Sequence, residues 1–361
     1  MTIEFIGFAA TQEFSETTGA GTGPAVDREY LQTVAAAHEG SGFDRVLIAH
    51  SSASPDGFVI ADQVLNATSR LGVLLAHRPG FLAPTLAARA FATLDAFHPD
   101  RVALHVITGG DDADQRRDGD FTDKVTRYAR TDDFLTVLRK EWDSEAPFDH
   151  DGEFYRVEQG WSSVRPGGRI PIYFGGASED AVRVGGKHAD VYAFWGEPLD
   201  GIRERIEQVR AAAAPYGRKT RFSVSLRPIV ADTEEAAWKR AEEILEKTQE
   251  RVNQANSVFK KLDHSEQHGS QRLLDAAAKG DVHDKRLWTA VAKATGAAGN
   301  STALVGSYEQ VAESLLDYTD LGVTTLLIRG FDPLDDARAY RRVIDLVREG
   351  VARRTPELVS A

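Results

Sequence analysis

Residues Ile172-Tyr-Phe-Gly-Gly-Ala-Ser178 could do chemistry through their backbone alone. The apolar run Ile170 to Phe174 reads as a short buried strand, and Ser178 opens a helical segment. A strand that ends in Gly-Gly-small-Ser at a helix start forms a cup of backbone N–H groups. The helix dipole adds partial positive charge, and the missing glycine Cβ atoms allow close approach of a phosphate. A tight strand-to-helix turn without a ligand has the same sequence signature. Beside this cup stands a set of cationic and ionisable residues: His50 with Ser51 and Ser52, His77-Arg78, Arg227, and Arg329-Gly-Phe331. Each falls at or near the end of an apolar run. In a protein with 43 Lys+Arg against 55 Asp+Glu, such a gathering suits an anionic cofactor, an anionic substrate, or both.

The elements that must position these residues alternate regularly. Strands are expected at Ile3–Ala9, Arg45–Ala49, Leu71–Ala76, Val102–Thr108, Ile170–Phe174, Val191–Phe194, Phe222–Val230 and Thr324–Ile328. Helical patterns lie between them. Short apolar strands are the mark of buried parallel strands. Eight strand-helix units argue a (β/α)8 TIM barrel in one domain, residues 1–361, whose active site lies at the C-terminal strand ends. Two segments interrupt the rhythm. Phe148–Arg156 reads as a hairpin around Asp151-Gly152. Residues 253–300 form a long polar insertion between strands seven and eight, which we read as an active-site lid with Gly269, Gly280 and Gly296 as hinges.

Other patterns exclude chemistries. The 361 residues contain no cysteine, so disulfides and thiol nucleophiles are ruled out. A net charge of −12 disfavours nucleic acid as a partner. No run of about 18 apolar residues exists to span a membrane, and no secretory signal is visible, so a cytoplasmic location is expected. No metal site is expected: His264 and His268 read as a solvated helix face, and Gly110-Asp-Asp-Ala-Asp114 as a solvated loop. Gly19-Ala-Gly-Thr-Gly23-Pro24 lacks the spacing of a dinucleotide loop.

Ordered stretches along nearly the whole chain carry a resemblance. They include Arg78-Pro-Gly80 with Pro84-Thr-Leu-Ala-Ala-Arg89, Val106-Ile-Thr-Gly-Gly-Asp111, Arg117-Asp-Gly119 and Tyr128-x-Arg-Thr-Asp-Asp-Phe134. Tyr173-Phe-Gly-Gly-Ala-Ser178, Trp195-Gly-Glu-Pro198, Thr302-Ala-Leu-Val-Gly306 and Arg329-Gly-Phe331 follow. In these the chain resembles the bacterial-luciferase-like flavin monooxygenases, and among them the two-component alkanesulfonate monooxygenases. The resemblance implies reduced FMN delivered by a separate NAD(P)H-dependent flavin reductase, with O2 as co-substrate. It also implies a flavin C4a-(hydro)peroxide that cleaves the C–S bond of an organosulfonate to sulfite and an aldehyde. Gly175, Gly176, Ala177 and Ser178 would then hold the FMN phosphate with Tyr128. His105 and Thr108 would line the isoalloxazine edge, Ala76 would pack on the ring, and Trp195 would cover it or floor the substrate pocket. Arg227, Arg329, Arg78 and His50 are the candidate catalytic residues. The resemblance further implies a homodimer or homotetramer, paired through helices after the early strands.

The substrate side departs from that family. Its Cys after strand two is Ser54 here, its Arg-x-His on strand seven is Ser225-Leu226-Arg227, and its Tyr after strand eight is Phe331. Its Asn on strand four is His105, and its Arg in the insertion has only Lys293 near its place. A sulfone or another organosulfur substrate therefore stays open. So do hydride transfer with coenzyme F420, as in a branch of luciferase-like enzymes, and non-enzymatic binding of a flavin or sulfonate.

Overall fold

The computed structural model describes residues 2–20, 23–109, 111–258, 268–297 and 299–358. Eight parallel strands follow one another as expected: Glu4–Phe8, Arg45–Ile48, Gly72–His77, Val102–Val106, Ile172–Gly175, Val191–Trp195, Arg221–Ala231 and Val323–Ile328. They are numbered one to eight below. Each pairs with its sequence neighbours; strand one also pairs with strand eight, and strand six with strand seven, which closes the ring. The fold is a (β/α)8 barrel, with helices between the strands.

The chain divides into two compact units. One comprises the stretch up to Val46, Ala193–Gln208 and the stretch from Arg221 on; the other comprises Leu47–Tyr192 and Val209–Thr220. In the second unit, every residue of strand three is buried, as a continuous apolar run predicts. Strands three, four and five run in register, with Ala76 opposite His105 and His105 opposite Tyr173. The hairpin is present, with Phe148–Asp151 pairing antiparallel to Arg156–Gly160. Asp133 accepts from the backbone N–H groups of Phe154 and Tyr155 at 2.8 and 3.0 Å, which ties the hairpin to helix Lys124–Asp143.

In the first unit, strand seven has 11 residues and changes partner along its length. Phe222–Leu226 pair with strand eight, and Arg227–Ala231 pair with a further parallel strand, Ala303–Ser307. That strand was not anticipated. The insertion differs from the expected polar loop. Helix Glu234–Val258 reaches into it, and helix His268–Lys279, a two-residue pairing of Val282–His283 with Leu287–Trp288, and helix Ala290–Thr295 follow. Leu273, Ala292 and Ala297 form a small core with Trp195 and Leu274 packed against it. Burial of this apolar surface makes the stretch a folded element. Lys260, Lys261 and His264 lie outside the described residues, as does Gly110. Among the described residues, no helix is long and apolar enough to cross a membrane.

Candidate active site

The glycine cup lies in the second unit. Strand five ends at Gly175, and helix Glu179–His188 begins after Ser178. Gly176 has φ +145°, and a Cβ there would stand 2.5 Å from the Cβ of Ala181 and 3.1 Å from the Tyr128 hydroxyl. Only glycine fits the turn, and the same contact places the Tyr128 hydroxyl at the cup. Ser178 is the helix N-cap: its Oγ accepts from the N–H of Ala181 at 3.2 Å. Tyr192 donates its hydroxyl to the Gly176 carbonyl at 2.9 Å, bracing the turn from below. Gly176 is exposed, with Gly175, Ala177 and Ser178 partly so.

Along the ends of strands two to four stand polar atoms with no protein partner. His50 Nε2, His77 Nε2, His105 Nδ1 and Thr108 Oγ1 are all buried and unpaired. Burial pushes the His77 and His105 imidazoles down to about 4, so both are neutral at physiological pH. Burial, then the neighbouring Arg78 charge, holds His50 below its ordinary value. Neutral imidazoles and a hydroxyl can both donate and accept, which suits the edge of a polar heteroaromatic ring. Leaving such atoms unsatisfied costs about 1–3 kcal/mol each, which a ligand would recover.

Arg78 does not offer a free charge. It forms an ion pair with Asp114 and another with Asp118 at 3.3 Å. Asp114 in turn accepts from Ser52 N and Oγ at 3.1 and 2.5 Å. The acidic run is therefore not a solvated loop; Asp112–Arg117 is a short helix capped by Asp111. Arg127, 1% exposed, donates to the carbonyls of Thr122 and Gly109 at 2.5 and 3.2 Å and to Asp112 at 2.7 Å. This locks the segment after strand four, on which Thr108 sits. Sequence reading passed over Arg127, although it is the neighbour of Tyr128.

In the first unit, Arg227 and Arg329 are brought together on one carboxylate. Glu16 Oε2 lies 2.6 Å from Arg227, and Glu16 Oε1 pairs with Arg329. Arg227 also donates from Nε to the Asn300 carbonyl at 2.7 Å. The Arg227 guanidinium lies over the Phe331 ring at 4.8 Å, and that of Arg329 over Phe8 at 4.7 Å. Desolvation, and then the charge of Arg227, push the Arg329 guanidinium down to about 10, which leaves it cationic. Glu16 and Asn300 were not anticipated. No local pattern marks Glu16: it sits at the turn between Phe14–Ser15 and Gly19–Ala20, far from both arginines in sequence.

Trp195 ends strand six and packs against Gly269, where a Cβ would stand 2.9 Å from its ring. Arg272 holds the same helix to Glu197 at 2.7 Å. The Lys293 side chain is 66% exposed, with its Nζ 4.0 Å from Asp281. Ser54 is bonded to Ser51, Oγ to Oγ, at 2.8 Å.

A family model described as luciferase-like monooxygenase matches residues 3–325. Among solved structures, the chain is similar to riboflavin lyase (RcaE) with modified FMN and substrate riboflavin, at 20% identity and a TM-score of 0.80, covering 97% of this chain and 92% of that one. It is similar to DmoA from Hyphomicrobium sulfonivorans at 19% identity and 0.76, covering 97% and 89%. It is also similar to an F420-dependent secondary alcohol dehydrogenase in complex with an F420-acetone adduct, at 16% and 0.69, covering 96% and 99%. At such identities the likeness is one of fold.

Proposed function

The chain belongs to the luciferase-like monooxygenase family, and from that premise we propose that it is an FMNH2- and O2-dependent monooxygenase of an organosulfur compound, supplied with flavin by a separate reductase. The observation that carries the flavin assignment is the Gly175–Ser178 cup in one unit with the buried, unpaired His105 Nδ1 and Thr108 Oγ1. A phosphate fits the N-terminus of helix Glu179–His188 by the helix dipole and by the exposed backbone of Gly176. Gly175, Gly176, Ala177, Ser178 and Tyr128 would hold that phosphate. His105 and Thr108 would meet the polar edge of the ring, and the strand-three backbone at Ala76, in register with His105, would support its face. When bound, reduced FMN would supply the activation of O2.

The protein's own residues would position and shield. Neutral His105 and His77 add no positive charge at physiological pH and each keep one N–H to donate. Arg227 and Arg329 would grip an anionic or strongly polar sulfur-oxygen group, since two guanidiniums share only one carboxylate. Arg78, paired twice, would act by holding Asp114 and the Ser52 segment beside His50. Helix His268–Lys279, fixed on Trp195 and Glu197, would serve as the lid that keeps water out.

The test is turnover with a flavin reductase, NAD(P)H and O2 over a panel of sulfonates and sulfones, scored by sulfite release. Anaerobic titration with reduced FMN and with F420 runs alongside. Tight FMNH2 binding and sulfite release from one substrate class support the reading. A preference for F420 with hydride transfer to a carbonyl would replace it.

A further inference from the structure

Glu16 takes up both arginines at once. One carboxylate oxygen faces Arg227 and the other faces Arg329, the geometry in which an oxyanion on carbon would bridge them. The trio carries one uncompensated positive charge. Two other buried arginines have at least one carboxylate each: Arg78 has Asp114 and Asp118, and Arg127 has Asp112. Asp190 also serves three arginines, but there Arg169 is 64% exposed and water shares the charge. In the trio the side chains of Arg227, Glu16 and Arg329 are 4%, 17% and 24% exposed, so water shares less of the charge than at Asp190.

The two guanidiniums and the Glu16 backbone have contacts of their own besides the Glu16 carboxylate. Phe331 and Phe8 hold the two guanidinium planes. The Glu16 backbone is tied by its N–H to the Phe331 carbonyl at 2.8 Å and by its own carbonyl to Arg251. Rotation about the side-chain bonds alone can therefore withdraw the carboxylate from a seat that stays in place.

We propose that Glu16 is an internal occupant of the substrate's anion seat, and that the substrate carries a singly charged oxyanion, a sulfonate or a carboxylate, that competes with it. This rests on the reading that Arg227 and Arg329 face the substrate. It turns Glu16 into a residue that sets specificity: a neutral ligand cannot displace it, and a weakly held anion loses to it.

The experiment measures ligand binding to the full chain without flavin, by calorimetry, for wild type, Glu16→Gln, Glu16→Ala and Glu16→Asp. The probes are methanesulfonate, acetate and uncharged dimethyl sulfone. Removing the internal competitor should tighten an anion by about tenfold or more in Glu16→Gln and Glu16→Ala. Glu16→Asp, with a shorter reach, should fall between, and dimethyl sulfone should not respond. The probe that gains most separates sulfonate from carboxylate. Adding Arg227→Ala to Glu16→Gln should abolish the gain. Anion affinity that is unchanged or weaker in the variants that fold, Glu16→Asp included, overturns the proposal. Because no turnover is read, intact competition in a protein that releases no sulfite would reject sulfonate cleavage alone.

Discussion

Replacing Ser178 by Asp isolates the phosphate site from the fold around it. Ser178 Oγ caps helix Glu179–His188 through Ala181 N at 3.2 Å, and Asp is as good an N-cap as Ser, so the helix start is kept. The variant differs by one negative charge at the cup, where Glu179 and Asp180 already stand in the first turn. A phosphate seated on this turn would stand close to the new carboxylate. At an effective dielectric of about 20, a pair of unit charges about 5 Å apart repels by about 3 kcal/mol. Ser178 is partly exposed, so solvent and salt screen part of this, and we expect a loss of about 1–3 kcal/mol. That is a weakening of FMN binding by about fivefold to 150-fold. The assay is flavin fluorescence for the oxidised form and anaerobic absorbance for the reduced form, with riboflavin as the control. Riboflavin has no phosphate, so its affinity should not change. Ser178→Ala should show the reverse pattern: a lower Tm from the lost cap, about 1 kcal/mol, with little added discrimination between FMN and riboflavin. Equal loss for FMN and riboflavin in Ser178→Asp, or no loss for either, would refute the phosphate assignment.

Arg227→Ala or Arg329→Ala should raise KM or lower kcat by about 10–1000-fold in steady-state sulfite release, and Arg329→Lys should restore only part, since an ammonium lacks the planar fork. Full activity in both alanine variants would remove the pair from the substrate site. His38, His77 and His105 are each held near 4 by burial, and Phe8 N–H donates to His38 Nε2 at 3.3 Å, which requires the neutral ring. The unfolded chain binds more protons than the folded one between about pH 6.5 and 4, so stability should fall as pH drops through that window and level off below it. Each histidine contributes up to about 3 kcal/mol; urea midpoints against pH should be shallower in His105→Gln, and an unchanged slope would contradict its buried neutral state. Arg272→Ala breaks the pair with Glu197, and should raise hydrogen peroxide and lower product per NAD(P)H consumed. Unchanged coupling would show that helix His268–Lys279 is not a lid.

What was legible in the sequence is what local pattern determines. A short apolar run between turn residues becomes a strand wherever both faces are buried, and all eight barrel strands fall where that rule puts them. The cup is equally local, because its strand end, its Gly176 turn and its Ser178 cap are contiguous residues. Charge pairing is not local. Arg78 reads as a free cation until the barrel brings in Asp114 and Asp118, 36 and 40 residues away. Glu16 lies 313 residues from Arg329, and nothing near it in sequence marks a carboxylate that bridges two arginines. The strand Ala303–Ser307 exists because strand seven is long enough to take a second partner. The described part of the insertion that carries Leu273, Ala292 and Ala297 is folded because these residues meet beside Trp195, a burial no window of its sequence contains. Backbone conformation follows from neighbours along the chain, whereas the charge and solvation of each site residue follow from neighbours in space, and those the tertiary structure alone decided.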